Sequence, residues 1–260
     1  MQNNKCVYLV GTGPGDPDLL TVKALRLLQS ADVVVYDRLV STEIINLIPH
    51  GIARIYVGKQ TGNHTFSQDQ INTLLGRLSQ TNRSVVRLKG GDPMVFGRGS
   101  EEALYLSRHN VCFEVVPGIT SASACTTYAG IPLTHRGLAN QVHIITGHCR
   151  EDAPLNYDWA SLTNSDSTLV VYMGVAQIGQ IAEQLIANGL AAQTPAAAIE
   201  QGTTAQQRVC ITQLAELAQA VARSQLKAPV MFVIGKVVSL ANELDWFVPQ
   251  EAIHVEASQA

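Results

Sequence analysis

VVRLKGGDPMVFGRGSEE, residues Val85 to Glu102, decides how this chain is read. Val85–Leu88 is a short apolar, β-branched run, which marks a buried strand. It stops at Gly90-Gly91-Asp92-Pro93, where two glycines let the backbone turn and approach a ligand with no Cβ in the way. A second open patch, Gly97-Arg98-Gly99, precedes Ser100-Glu101-Glu102, which reads as an N-cap and an acidic first turn of a helix. Strand, glycine loop and helix in that order form half of a parallel α/β unit, and ligands bind such units at the carboxyl ends of the strands.

The same alternation runs outward in both directions. Strands are expected at Cys6–Val10, Val33–Tyr36, Arg54–Val57 and Val111–Val116, with helices at Thr21–Gln29, from Ser41 to Ile48, and from Ser67 onward, with a polar loop at Gln60–Phe66. This predicts an α/β fold with a mainly parallel first sheet. Pro117-Gly118-Ile119-Thr120 reads as a linker, dividing an N-terminal domain (1–118) from a C-terminal one (119–247) ahead of a frayed tail (248–260). Beyond it come a helix at Ser121–Ala129 and strands at Val142–Thr146, Thr168–Met173, Pro195–Ile199, Arg208–Ile211 and Val230–Ile234. Helices near Ala176–Ala187 and Gln213–Arg223 lie among these strands, so the second sheet is expected to be mixed.

Only 15% of the 260 residues are charged while 46% are hydrophobic, which points to burial against a second subunit, a homodimer. A net charge of −3 argues against a broad nucleic-acid or membrane surface, though not against a local basic pocket. Five scattered cysteines with no C-x-x-C pair read as reduced thiols in a cytoplasmic protein. No signal-peptide core follows Met1, and no apolar run is long enough to span a bilayer.

A second glycine loop, Gly11-Thr12-Gly13-Pro14-Gly15-Asp16-Pro17, occupies the same place after the first strand. It is not a phosphate cradle, because Pro14 and Pro17 remove backbone donors and Asp16 and Asp18 would repel a diphosphate. Two acidic, donor-poor glycine loops suit a cationic ligand without phosphates. His135, His143, His148 and Cys149 match no zinc spacing, so no metal is expected.

Val7–Thr21 and Val85–Glu102 together resemble the paired signatures of the tetrapyrrole methylase family, and the likeness runs from Val7 to Phe247. The resemblance implies two α/β domains with S-adenosylmethionine bound between them, and a small-molecule tetrapyrrole methylated at two ring carbons, leaving S-adenosylhomocysteine. Cofactor contacts then map onto Pro14, Gly90, Gly91, Asp92, Val95, Thr120, Ser121, Met173 and Gly202. On composition alone Met173 would be a core residue. The family's proton acceptor matches Asp37 and its proton donor matches Lys59. By itself Asp37 also reads as a turn or cap residue, and Lys59 as an ammonium that pairs with a substrate carboxylate.

An acidic macrocycle needs cations, each charge-assisted bond contributing about 1.5–3 kcal/mol. Arg38, Lys59, His64, Arg87, Lys89, Arg98 and Arg136 are the candidates, Arg98 standing between two glycines with little to pack against, and the resemblance implies that His135 borders the substrate with Arg136. Gln60, Met94 and Ser121 depart from residues common in the family. No additional oxidation or metal-insertion domain is read, so the reaction is expected to stop at the methylated product. The rival readings are a methylase acting on a later corrin intermediate, a distant relative acting on RNA or protein, and a non-catalytic S-adenosylmethionine-binding regulator.

Overall fold

In the computed structural model, residues 5–58, 66–81, 84–148 and 155–249 are described. Two compact units divide the chain, Met1–Thr120 and Ser121–Ala260.

The first unit is built on five strands: β1 (Cys6–Gly11), β2 (Val33–Tyr36), β3 (Ala53–Tyr56), β4 (Ser84–Lys89) and β5 (Phe113–Val116). They lie in the order β3-β2-β4-β1-β5, and every pairing is parallel. The central strands β1 and β4 carry apolar residues on both faces because helices cover both. Val7 and Leu9 of β1 and Val85 of β4 enter one core with Ile71 and Leu75 of α3 (Gln68–Thr81) and Leu106 of α4 (Gly99–Arg108). Val10, Val86 and Leu88 face the opposite core with Ala24 and Leu28 of α1 (Val22–Gln29) and Ile44 of α2 (Thr42–Asn46).

Helix starts follow cap chemistry. Thr21 Oγ1 accepts from Ala24 N at 3.1 Å, and Ser67 Oγ accepts from Gln70 N at 3.2 Å. Ser41 caps α2 as expected, but that helix stops at Asn46, short of Ile48. α4 differs more. Ser100 is not its cap: the helix begins at Gly99, preceded by Arg98 in the left-handed region (φ 58°). The reason is steric, because Gly99 N donates to Pro93 O at 2.9 Å and a Cβ on Gly99 would lie 2.9 Å from two further Pro93 atoms.

The second unit holds β6 (Gln141–Thr146), β7 (Ser167–Tyr172), β8 (Pro195–Glu200), β9 (Arg208–Gln213) and β10 (Val230–Ile234), in the order β6-β7-β10-β8-β9. β6 and β7 are parallel, and the remaining pairs are antiparallel, giving the mixed sheet expected. One core lies between this sheet and α6 (Ile178–Ala187) and α7 (Leu217–Arg223), and includes Leu169, Val171 and Phe232. The other lies beneath α5 (Ser121–Tyr128), with Val170, Ala197, Met231 and Val233. The alternation Leu169/Val171 against Val170 is the period of two that a strand imposes. Among the described residues no helix is long and apolar enough to cross a membrane.

Candidate functional site

Because all five strands of the first sheet run the same way, their carboxyl ends share one edge. Gly11, Asp37, Gly58, Gly90 and Pro117 each stand at or just past a strand end there. Two of the loops are joined by backbone: Gly13 N donates to Gly91 O at 3.1 Å, and Gly91 N donates to Gly13 O at 2.7 Å. Gly13 and Gly91 make this bridge at φ 71° and 69°, the left-handed region that favours glycine. Gly11 and Gly118 are needed for a different reason. A Cβ on Gly11 would lie 2.5 Å from Gly118 N and 2.7 Å from Gly91 O. Three chain segments therefore meet backbone to backbone at this edge.

The acids on this rim serve its shape. Asp92 Oδ1 accepts from Met94 N at 2.8 Å, and Oδ2 accepts from Gly118 N at 3.0 Å. Asp16 Oδ1 accepts from Asp18 N at 2.8 Å. Both carboxylates are oriented by backbone N–H groups, Asp16 within its own loop and Asp92 both within its loop and from Gly118 past β5. Pro14 and Val95 are half-buried on the same loops, and Thr120 follows β5.

Asp37 is held at both oxygens. Leu39 N donates to Oδ1 at 3.0 Å, and Arg87 Nη2 donates to Oδ2 at 2.8 Å. The Asp37 side chain keeps 24% of its surface exposed, while Arg87 keeps 3%. Arg87 also donates from Nη1 to Leu88 O at 2.9 Å and from Nε to Glu102 Oε1 at 3.4 Å. Glu102, fully buried in α4, accepts from Lys89 Nζ at 2.9 Å and from Gln68 Nε2 at 3.2 Å. Two cations and two anions are thus packed under α3 and α4. This corrects the reading of Arg87 and Lys89 as open cleft cations, since both are buried. The period of two explains it: residues 85, 87 and 89 share one face of β4, the face these helices cover. Glu102, read from sequence as a first-turn acid, was missed. Its signal was the pair of charges at alternate positions inside a buried strand, which must find counter-charges across the helix layer. Removing one partner from such a set costs about 3–5 kcal/mol.

Burial, and then the neighbouring charge of Arg87, push the Lys89 ammonium below its ordinary range, with Glu102 and Asp37 opposing. An unfolded chain therefore holds this proton to higher pH than the folded one, so stability rises with pH through the window between the folded value and the ordinary lysine value of 10.5. Urea unfolding of the parent and of Lys89→Met between neutral pH and that window should show the parent gaining on the variant as pH rises. A difference that stays flat would contradict the assignment.

The remaining unit 1 candidates divide. Arg38 is exposed beside Asp37. Arg98 does not stand alone as its glycine neighbours suggested, because Nε and Nη2 donate to Glu101 at 2.8 and 2.6 Å. Lys59 and His64, with most of the expected polar loop, lie outside the described residues, as do Cys149 and residues 250–260 of the expected tail.

In unit 2, β7 and β8 run in the same direction, so Met173 and Gly202 follow strand ends on one edge. Met173 is 50% exposed at φ 52°, which overturns the core placement its composition suggested. α5 begins at this edge. Ala122 N donates to the Tyr172 hydroxyl at 2.6 Å, and a Cβ on Gly202 would press on Cys125 Sγ at 2.5 Å. Ser121, Met173 and Gly202 are therefore brought together around the start of α5. His135 and Arg136 are not. They sit on a loop closed by mutual His135–Ala139 backbone bonds, lining a shallow hollow of about 440 Å³ with Asn140 and Asp166, where β6 and β7 begin. A six-residue strand separates the two edges by roughly 17 Å. Among the described residues no group of three or more His, Cys, Asp or Glu is placed to hold a metal ion.

Comparison with known proteins places these loops in context. The family model for tetrapyrrole (corrin/porphyrin) methylases matches residues 6–218. A siroheme synthase from Azotobacter vinelandii is 54% identical over 241 residues, 93% of this chain but 52% of that protein. The chain thus spans about half the length of the curated relatives it matches. A uroporphyrin-III C-methyltransferase from Thermus thermophilus, solved with S-adenosylhomocysteine, is 41% identical with a TM-score of 0.78, over 95% of this chain and 99% of that one. A cobalt precorrin-4 methyltransferase has a TM-score of 0.80 at 27% identity, over 90% of this chain and 96% of that one. From its glycine-built strand-end loops to a family match spanning residues 6–218, the chain belongs to the tetrapyrrole (corrin/porphyrin) methylases.

Proposed function

We propose that this chain transfers methyl groups from S-adenosylmethionine to two pyrrole carbons of uroporphyrinogen III, C2 and C7, giving precorrin-2 for sirohaem or cobalamin synthesis. One observation carries the reading: the 41% identity to the S-adenosylhomocysteine complex of a uroporphyrin-III C-methyltransferase, across nearly that whole chain. The corrin methylase with the slightly higher TM-score shares fewer residues, 27%, which favours the porphyrinogen over a later intermediate.

The residues present fit the cofactor. Gly11 and Gly118 leave no room for a Cβ, Gly91 turns at φ 69°, and Pro14 lacks the N–H that a phosphate would need, which suits a ligand held against backbone. In the first unit Pro14, Gly90, Gly91, Asp92, Val95 and Thr120 are the proposed cofactor contacts, and in the second unit Ser121, Met173 and Gly202 are. When bound the cofactor supplies an electrophilic methyl group on a sulfonium. The pyrrole carbon is the nucleophile, so the protein needs no Ser or Cys for that task.

What the chain must do is orient and move protons. Asp37, fixed at both oxygens yet partly exposed, is suited to take a proton from the methylated ring. Lys59 is the proposed proton donor or a carboxylate anchor, and Arg38 and Arg98 are exposed cations for the substrate's acid arms. We also read the chain as a cytoplasmic homodimer. The edge strand β9 leaves Val209 and Ile211 40% and 45% exposed, apolar surface that a second copy would cover.

Anaerobic incubation with S-adenosylmethionine and uroporphyrinogen III is expected to add two methyl groups, read by mass. An unchanged substrate mass rejects the reading. Methylation only of a later corrin intermediate would select the alternative.

A further inference from the structure

Arg87 has three anchors and nearly no solvent. Its guanidinium meets Leu88 O, Glu102 Oε1 and Asp37 Oδ2 from Nη1, Nε and Nη2 respectively. Glu102 is lopsided. Its Oε1 is shared by Arg87, Lys89 and Gln68, while its buried Oε2 has no hydrogen-bond partner among the described residues. Gln68 is itself tied to Asn72 Oδ1 at 3.0 Å. The charged groups facing one another here are Asp37 beyond β2, Arg87 and Lys89 on β4, and Glu102 on α4. As a device for stability alone the arrangement is poor, because buried ion pairs are commonly matched or bettered by apolar residues of similar volume. Its one charged outlet is Asp37, whose side chain keeps 24% of its surface exposed while Arg87, Lys89 and Glu102 are buried.

We propose that Glu102 and Lys89, acting through Arg87, are positioning residues for Asp37: the buried pair fixes the guanidinium where it grips the Asp37 carboxylate. Lys89 neutralises Glu102, so that Glu102 directs Arg87 without drawing it away from Asp37. The inference rests on the reading of Asp37 as the group that meets the substrate. It extends that reading to three residues with no need to touch any ligand.

The test uses the full chain with Glu102→Gln, Lys89→Met and the double variant that removes both charges together. Turnover of uroporphyrinogen III is measured per S-adenosylhomocysteine-binding site, which corrects for any misfolded fraction. Each single variant is expected to lose about tenfold in kcat through misplacement of the carboxylate. S-adenosylhomocysteine affinity should stay within about twofold, a split that separates orientation from binding. The double variant should lose about as much as the more damaging single variant and not the product of the two losses, since both residues act through one guanidinium. In parallel, the Arg87 guanidinium ¹⁵N signals, assigned with Arg87→Lys, are recorded without ligand. The parent should show separate, slowly rotating Nη groups that become averaged in both single variants.

Unchanged kcat per site, or cofactor affinity falling in step with kcat, overturns the proposal. A parent that leaves uroporphyrinogen III unmethylated defeats the functional reading instead. The Arg87 signals still decide the relay in that case, because restricted Nη groups surviving in both single variants would sink it. If one single variant does not fold, the other and the double variant are compared in its place.

Discussion

Asp37→Asn is expected to lower turnover by about a hundredfold or more, the scale of a lost general base. S-adenosylhomocysteine affinity should change little. The carboxylate accepts from Leu39 N on one oxygen and from Arg87 Nη2 on the other. An amide has one oxygen, so it can serve only one of these donors, and its NH₂ is turned against the other. The side chain therefore loses both its basicity and its aim, while the backbone-built loops at Gly13 and Gly91 are untouched. Calorimetric titration with S-adenosylhomocysteine alongside anaerobic turnover measures the two effects separately. Equal turnover in variant and parent would remove Asp37 from the mechanism, and a matched loss of affinity would make it a binding residue.

Gly118→Ala should be the most damaging single methyl group in the first unit. The added Cβ would lie 2.7 Å from the Gly11 carbonyl carbon and 2.8 Å from its Cα, and closer still to Gly91 O. All three neighbours are backbone of central strands or their loops, so no side chain can swing aside. We expect a loss of about 3 kcal/mol from overpacking, together with weakened cofactor binding. Gly137→Ala is the control. Gly137 sits at φ 88° with nothing within 4 Å, so only left-handed strain applies, about 1–2 kcal/mol, with cofactor affinity unaltered. Urea unfolding and S-adenosylhomocysteine titration of both variants test the contrast. A Gly118→Ala protein as stable as the parent would mean that the rim is loose.

Most of the fold was legible because its signals are local. Val33–Tyr36 and Val230–Ile234 are strands at the expected residues, and the remaining strands fall within two residues of expectation. Ser41 and Ser67 cap helices as their hydroxyls suggest, and Thr21, read as the first helical residue, is the cap of α1. Ser100 misled because the start of α4 is set by packing of Gly99 on Pro93, a contact between loop residues that no cap rule contains. Met173 misled in the opposite way, since apolar composition says nothing of a left-handed turn that lifts a side chain out of its sheet.

The order of apolar runs, glycines and hydroxyl caps was enough to determine an α/β chain with its open loops at strand ends. Those patterns act over a few residues and need no knowledge of neighbours. Only the tertiary structure decided what the charges do. It buried Arg87 and Lys89 with Glu102 beneath α3 and α4, and turned Asp92 onto Gly118. It also set His135 and Arg136 at the far edge from Met173. A charged side chain's role depends on which distant partner shares its low-dielectric surroundings, and that partner is chosen by strand order and helix packing rather than by any local run of residues.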